Sequence, residues 1–432
     1  MKYFTLSILL LISGPTMAQR CEIISMQHIG GNIVDQVFPY QGIIPHPDGK
    51  FSIIVSHNST TGSLRTDCPG DVYLTYNSTF TTMNQYCAPG GSDPGFYPHY
   101  VYPQPNGDTI LVGAFYTHDI GIERRDAAGN VLWFKIYGGT ASDGIASVAQ
   151  ASDGGFFIAV GTNSTDGDVG MHYGSVFTAD TWVLRVDNDG NMLWGKVLGG
   201  SNTDLARDIK AAADGGCYIF GVTGSTDYDA TGNHGVSDLH IVKLDSLGNK
   251  DWHKCLGGSD DDGCGYDMGI KAIPDHSGGF YVINRTSSHD GDVQHRMPDD
   301  VDFWLLHIDA AANILWETTF GGPQGQYPSS LCQAADGSLW MAGYFFGGTP
   351  IGGMIDAKYG NTDSWIVHAD SLGNFINQRV LGGNSPDEAV ALHPLPNGTV
   401  VVAGNYYYGN ADSSRSPGFP ENSEGDQDIY IA

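Results

Sequence analysis

Positive charge is the scarcest commodity in this chain. Its 432 residues hold 20 Lys and Arg against 48 Asp and Glu, a formal charge of −28. A surface of that sign repels phosphate backbones and anionic bilayers, so no nucleic-acid partner is expected. Charge of either sign is sparse, at 16% of residues, which excludes a solvated polyelectrolyte. Beyond residue 19 no stretch approaches the roughly 18 to 20 uninterrupted apolar residues of a transmembrane segment. No unit shows an apolar period of about 3.6 residues, which excludes an α-solenoid. Catalytic signatures are also missing: there is no Gly-x-Ser-x-Gly elbow and no His-Glu-x-x-His helix.

What is present is glycine (60 residues) and a supply of core-forming side chains, 41% hydrophobic with 22 Tyr, 18 Phe and 8 Trp. The N-terminus reads as a signal peptide over residues 1–19: Lys2, the apolar run Leu6 to Ile12, then the small-residue exit Thr16-Met17-Ala18. Cys21 follows closely, but Arg20 before it does not fit a lipobox. The mature chain, residues 20–432, is expected to be one domain, secreted or at the cell surface, acting as a monomer.

Internal repetition organises that domain. Glycine pairs stand at Gly30-Gly31, Gly90-Gly91, Gly138-Gly139, Gly199-Gly200, Gly257-Gly258, Gly321-Gly322 and Gly382-Gly383. In four units a tryptophan precedes the pair at a fixed distance (Trp133, Trp194, Trp252, Trp316). Turn signals keep the same register: Gly129, Gly190, Gly248, Ala312 and Gly373 each precede Asn, and Asp153-Gly154 and Asp214-Gly215 type pairs recur in every unit. Between these markers lie four runs of β-branched and aromatic residues per unit, the pattern of antiparallel strands joined by tight hairpins. Seven such units of about 60 residues predict an all-β, seven-bladed β-propeller of four-stranded antiparallel blades. The mature chain starts on a fourth strand (22–29) and ends on a third (428–431), so pairing the N-terminal strand with the C-terminal blade closes the ring and hides an edge. The second-to-third-strand loops and the unit-to-unit connections then share one face, where the long variable sequence falls.

The pattern Trp182-Val-Leu-Arg-Val-Asp-x-x-Gly-Asn-x-x-Trp-x-Lys-x-x-Gly-Gly-Ser, followed by Asp214-Gly-Gly and Ser-Thr-Asp-Gly-Asp-Val, resembles a repeat of secreted β-propeller proteins of Bacteroidota, of the kind usually carrying a type IX secretion sorting tail. The resemblance covers residues 120 to 432 best and implies a propeller exported to the cell surface, without implying a ligand. No Ig-like sorting tail follows Ala432, which reads as a fragment or a different export route. Quinoprotein-type propeller repeats are similar in outline, which implies that the tryptophan-bearing strand is outermost.

Candidate chemistry lies on the loop face. One aspartate recurs before each third strand (Asp71, Asp119, Asp180, Asp238, Asp302, Asp363, Asp428), and another four residues after the glycine pair in five units (Asp35, Asp143, Asp204, Asp262, Asp387). A residue demanded by every blade serves the blade, so these are expected to fix loops rather than bind a ligand. Three consecutive units carry Asp166-Gly167-Asp168, Asp227-Tyr228-Asp229 and Asp290-Gly291-Asp292, followed by His172, His234 and His295. Alternate carboxylates on a short loop suit calcium, although none completes a twelve-residue calcium loop and the competing reading is Asx turns. Second strands end in Tyr344-Phe345-Phe346 and Tyr406-Tyr407-Tyr408, expected to form one aromatic platform across units six and seven. Seven cysteines in an exported chain point to disulfides; Cys68 and Cys87 are the best-placed pair and Cys255 with Cys264 a weaker one. Two function classes follow: a non-catalytic binding propeller for carbohydrate or protein ligands, or a secreted polysaccharide hydrolase or lyase using loop-face carboxylates.

Overall fold

The computed structural model describes residues 27–29, 35–37, 43–45, 50–57, 72–77, 82–87, 96–115, 118–175, 177–263, 269–294, 301–322, 324–346, 359–407 and 427–431. The expected signal peptide, Cys68, Cys264, His295 and Tyr408 lie outside them, as do the side chains of Cys87 and Tyr407. Among the described residues the chain is all-β, with one 3-10 turn at Tyr228–Ala230 and no helix long and apolar enough to cross a membrane.

The strands form antiparallel meanders. The second sheet contains Phe96–Pro103, Thr109–Phe115, Ile120–Arg125 and Val131–Tyr137. The third contains Asp143–Gln150, Phe156–Thr162, Asp180–Val186 and Met192–Leu198. The fourth follows with Asp204–Ala211, Cys217–Thr223, Asp238–Leu244 and Lys250–Leu256. Lys271–Pro274, Phe280–Thr286, Asp302–Ile308 and Ile314–Phe320 make the fifth. The sixth is Gln326–Gln333, Leu339–Phe346, Thr362–Ala369 and Phe375–Leu381. The first sheet departs from four strands: Asp35–Val37 and Ile43–Pro45 both pair with Phe51–His57, so two short pieces share its innermost position. In the seventh sheet, Asp387–Pro394, Val400–Tyr407 and Gln427–Ile431 are followed by Gln27–Ile29 from the other end of the chain, with His28 opposite Tyr430.

Burial follows strand position. The third strands of the third and fourth sheets are buried along their whole length, whereas the fourth strands expose their early residues. Apolar clusters join each sheet to the next. Phe157, Val183 and Leu198 of the third sheet pack with Ile209, Ile219 and Leu244 of the fourth. Phe51 and Ile53 of the first pack with Val390 and Val401 of the seventh, and Ile44 of the first with Phe96 and Leu111 of the second. Residues of all seven sheets line one cavity of about 240 Å³, among them Ile43, Tyr102, Ser147, Asp208, Lys271, Ser330 and Ala391. Those residues sit on the innermost strands, so the architecture is propeller-like.

The repeated turns explain the repeated sequence. Asp187 accepts the N–H groups of Asp189 and Asn191, and the Asn191 amide returns to the same carboxylate. Asp126, Asp245, Asp309 and Asp370 do the same in their own sheets. The Asn therefore locks the turn through its side chain. In the fifth sheet Ala312 takes the glycine position at φ +57°.

Candidate functional site

The glycine pairs are explained by what surrounds them. A Cβ on Gly199 would meet the carboxylates of Asp180 and Asp204, and one on Gly200 would meet Ser225 and Asp227. Asp204 accepts the Gly200 N–H at 2.6 Å, the Ser225 hydroxyl at 2.7 Å and the Thr223 hydroxyl. Asp143 and Asp262 are bound by the equivalent Thr, Ser and Gly groups. In the sixth sheet Gln326 stands in that place and accepts the Gly322 N–H. The recurrent acids are thus internal loop ties. Burial pushes the Asp180 carboxyl up to about 7 and the Asp387 carboxyl up to about 8, with Asp204 and Asp363 respectively adding charge repulsion.

The Asp-x-Asp loops close over the same glycine pairs. Asp166 accepts the Thr140 N–H at 2.8 Å and its hydroxyl at 2.9 Å, and these bonds hold its carboxyl below the usual carboxylate range. Asp168 accepts the Gly138 N–H at 3.2 Å. Asp290 and Asp292 repeat this on Ser259 and Gly257. In the fourth unit Asp227 binds the Ser201 N–H, but Asp229 pairs with Lys250 at 2.6 Å. Five of the six carboxylates therefore clamp loops at three separate unit junctions, and the sixth, Asp229, is taken by Lys250. His172 and His234 approach the third-strand acids Asp180 and Asp238, not these carboxylates. A cavity of about 290 Å³ opens beside Asp119, Thr140, Asp166 and Asp168.

Of the expected aromatic platform, two members need correction. Phe345 is buried against Phe303 and Trp365 in the core shared with the fifth sheet, and Tyr406 is buried between the sixth and seventh sheets with Ala342 and Leu392. Strand alternation turns every second ring inward, so a run of three aromatics cannot present all three. Tyr344 is half-buried and Phe346 is 47% exposed. They gather around Tyr327, which pairs with Tyr344 across the strands. The Tyr327 and Tyr344 rings stack at 5.4 Å, and Phe346 meets both edge-on. Arg285 lies 5.5 Å over the Tyr327 ring and is held by Asp261 at 2.8 Å. Tyr327 was missed in the sequence because it stands alone in its strand; the cross-strand register was the signal.

A second aromatic pair lies on the loops of units three and four. Tyr173 and Tyr228 approach to 4.9 Å between ring centroids. Tyr228 is 64% exposed and sits at φ +50°, a left-handed conformation that a bulky residue rarely adopts. Aromatic and acidic chemistry are therefore interleaved on this face rather than divided into halves. The Cys255–Cys264 pairing is also corrected: Cys255, like Cys217 and Cys332, is a buried free thiol.

No family model matches the chain, and no curated protein matches it. Among solved structures, it is similar to BBS1N in complex with ARL6DN, with a TM-score of 0.44 and 9% identity over 93% of this chain and 97% of that one. It is also similar to a chain of a mitotic checkpoint complex, with a TM-score of 0.45 and 8% identity over 94% and 95%. At those scores the likeness is one of outline.

Proposed function

We propose that this chain is an exported, non-catalytic binding propeller, a closed seven-bladed ring whose loop face takes carbohydrate or protein ligands. Ring closure is supported by the Gln27–Ile29 strand beside Gln427–Ile431 and by the apolar cluster between the first and seventh sheets. The binding reading rests on one observation, the Tyr327–Tyr344–Phe346 cluster beside Arg285. An exposed Phe346 ring over two half-buried tyrosines, next to a charged hydrogen-bond donor, suits the C–H face and hydroxyls of a sugar. The hydrolase or lyase reading has less support, because Asp143, Asp204 and Asp262 are occupied by their own loops.

A glycan array followed by calorimetric titration of the best glycan tests this. Phe346→Ala and Tyr344→Ala are expected to weaken binding about tenfold or more, in keeping with loss of an aromatic stacking surface, while leaving Tm within a few degrees. Release of reducing ends would favour the hydrolase reading. Binding to peptides but to no glycan would select a protein ligand.

A further inference from the structure

The fourth sheet breaks the repeat at three positions, and all three carry metal-ligating side chains. In the third, fifth and sixth sheets a buried tryptophan (Trp182, Trp304, Trp365) lies opposite Val197, Thr319 or Val380 of the outer strand. Two residues earlier, that outer strand holds Gly195, Glu317 or Gln378; Glu317 and Gln378 accept the indole N–H of their tryptophans. In the fourth sheet the same register sets His240 opposite Cys255, with His253 two residues before it. Strand alternation turns all three to one face.

We propose that His240, His253 and Cys255 form a three-ligand site for Zn²⁺. His240 Nε2 and His253 Nδ1 lie 3.3 Å apart, and the three donor atoms all lie within 4.8 Å of one another. Zinc–nitrogen bonds of about 2.0 to 2.1 Å at tetrahedral angles separate two nitrogens by about 3.3 Å. The matching nitrogen–sulfur edge is about 3.5 Å, so the thiol needs to close in by about 1.3 Å at most. A supporting group is also in place. The Thr231 hydroxyl lies 3.3 Å from His253 Nε2. Such an outer contact fixes which nitrogen faces the ion.

Cys255 donates its S–H to the Thr231 carbonyl at 3.6 Å. Zinc therefore displaces that proton: the S–H bond breaks, a Zn–S bond forms from the sulfur lone pair, and one proton leaves to solvent. The fourth position is left for water or an exogenous donor.

Chelator-treated full chain, titrated with Co²⁺ and then Zn²⁺, tests the site. One equivalent of Co²⁺ is expected to produce a near-ultraviolet thiolate-to-cobalt charge-transfer band that Zn²⁺ abolishes. Cys255→Ser is expected to remove the band, and His253→Ala to weaken Co²⁺ affinity tenfold or more. Cys217→Ser is expected to keep the band. His253 is half-buried, so its variant is expected to melt within a few degrees of the metal-free parent. Absence of the band, its survival in Cys255→Ser, or unchanged affinity in His253→Ala would overturn the proposal.

Discussion

Trp194 lies on the outer strand of the third sheet and donates its indole N–H to the Ser246 carbonyl of the fourth at 3.0 Å. Its ring rests on Gly248, where a Cβ would come within 2.8 Å of it. Trp133 lies the same way on Gly190, and Trp316 on Gly373. These turn glycines meet two demands: a left-handed φ, +81° at Gly248, and a flat seat for the neighbouring indole. Trp133, Trp194, Trp252 and Trp316 are half-buried, as the outermost strand of each sheet leaves one side of the indole to solvent. Trp194→Ala is therefore expected to cost about 2 kcal/mol, below the 3 to 5 of a fully enclosed tryptophan. Urea unfolding measures it; a loss under about 0.5 kcal/mol would mean that the indole latches nothing.

At the scale of the element, the unit junction stores acids where water does not reach. Asp180 and Asp387 are pushed up to about 7 and about 8 by burial, and Asp204 and Asp238 are raised too. The folded chain keeps protons there that the unfolded chain releases near its ordinary carboxyl value, so this stability is present in acid and lost as pH rises through 7 to 8. Buried His240 and His99, lowered to about 3 and about 4, act oppositely but only below the ordinary imidazole value of 6.5. Between pH 7 and 8.5 the acids decide the slope. Tm is expected to fall by a few degrees over that interval at fixed ionic strength, and Asp387→Asn to flatten the fall. A flat or rising parent curve would show that these carboxyls ionise freely. The junction was legible in sequence because every unit must solve the same packing problem, so Gly-Gly and its following Asp recur. Tyr327 and His253 were not, because their meaning lies in which strand stands opposite, and single residues carry no period.

At the scale of the whole molecule, the proposed ring depends on its ends. Each sheet buries apolar side chains against two neighbours, so stability is a sum of repeat and interface terms, and any interface left open exposes two sheets at once. The first and seventh sheets share Phe51, Ile53, Val390 and Val401, and among the described residues Gln27–Ile29 is the strand that covers the outer edge of the seventh. Without that strand, the backbone donors and acceptors of Gln427–Ile431 that His28 and its neighbours meet would face water as an open template for other chains. Deleting residues 20–30 from a chain that begins at residue 20 is accordingly expected to lower Tm by several degrees and to promote aggregation on heating. The two effects separate the causes: a mixture of intact and deleted chains that exchanges strands would show the edge to be sticky, while the melting shift reports the lost interface. Adding back a peptide of residues 20–30 should restore part of the shift, since a ligand that binds only the folded edge stabilises it by mass action. If the deleted chain melts with the parent and stays monomeric, the two ends do not hold the ring shut.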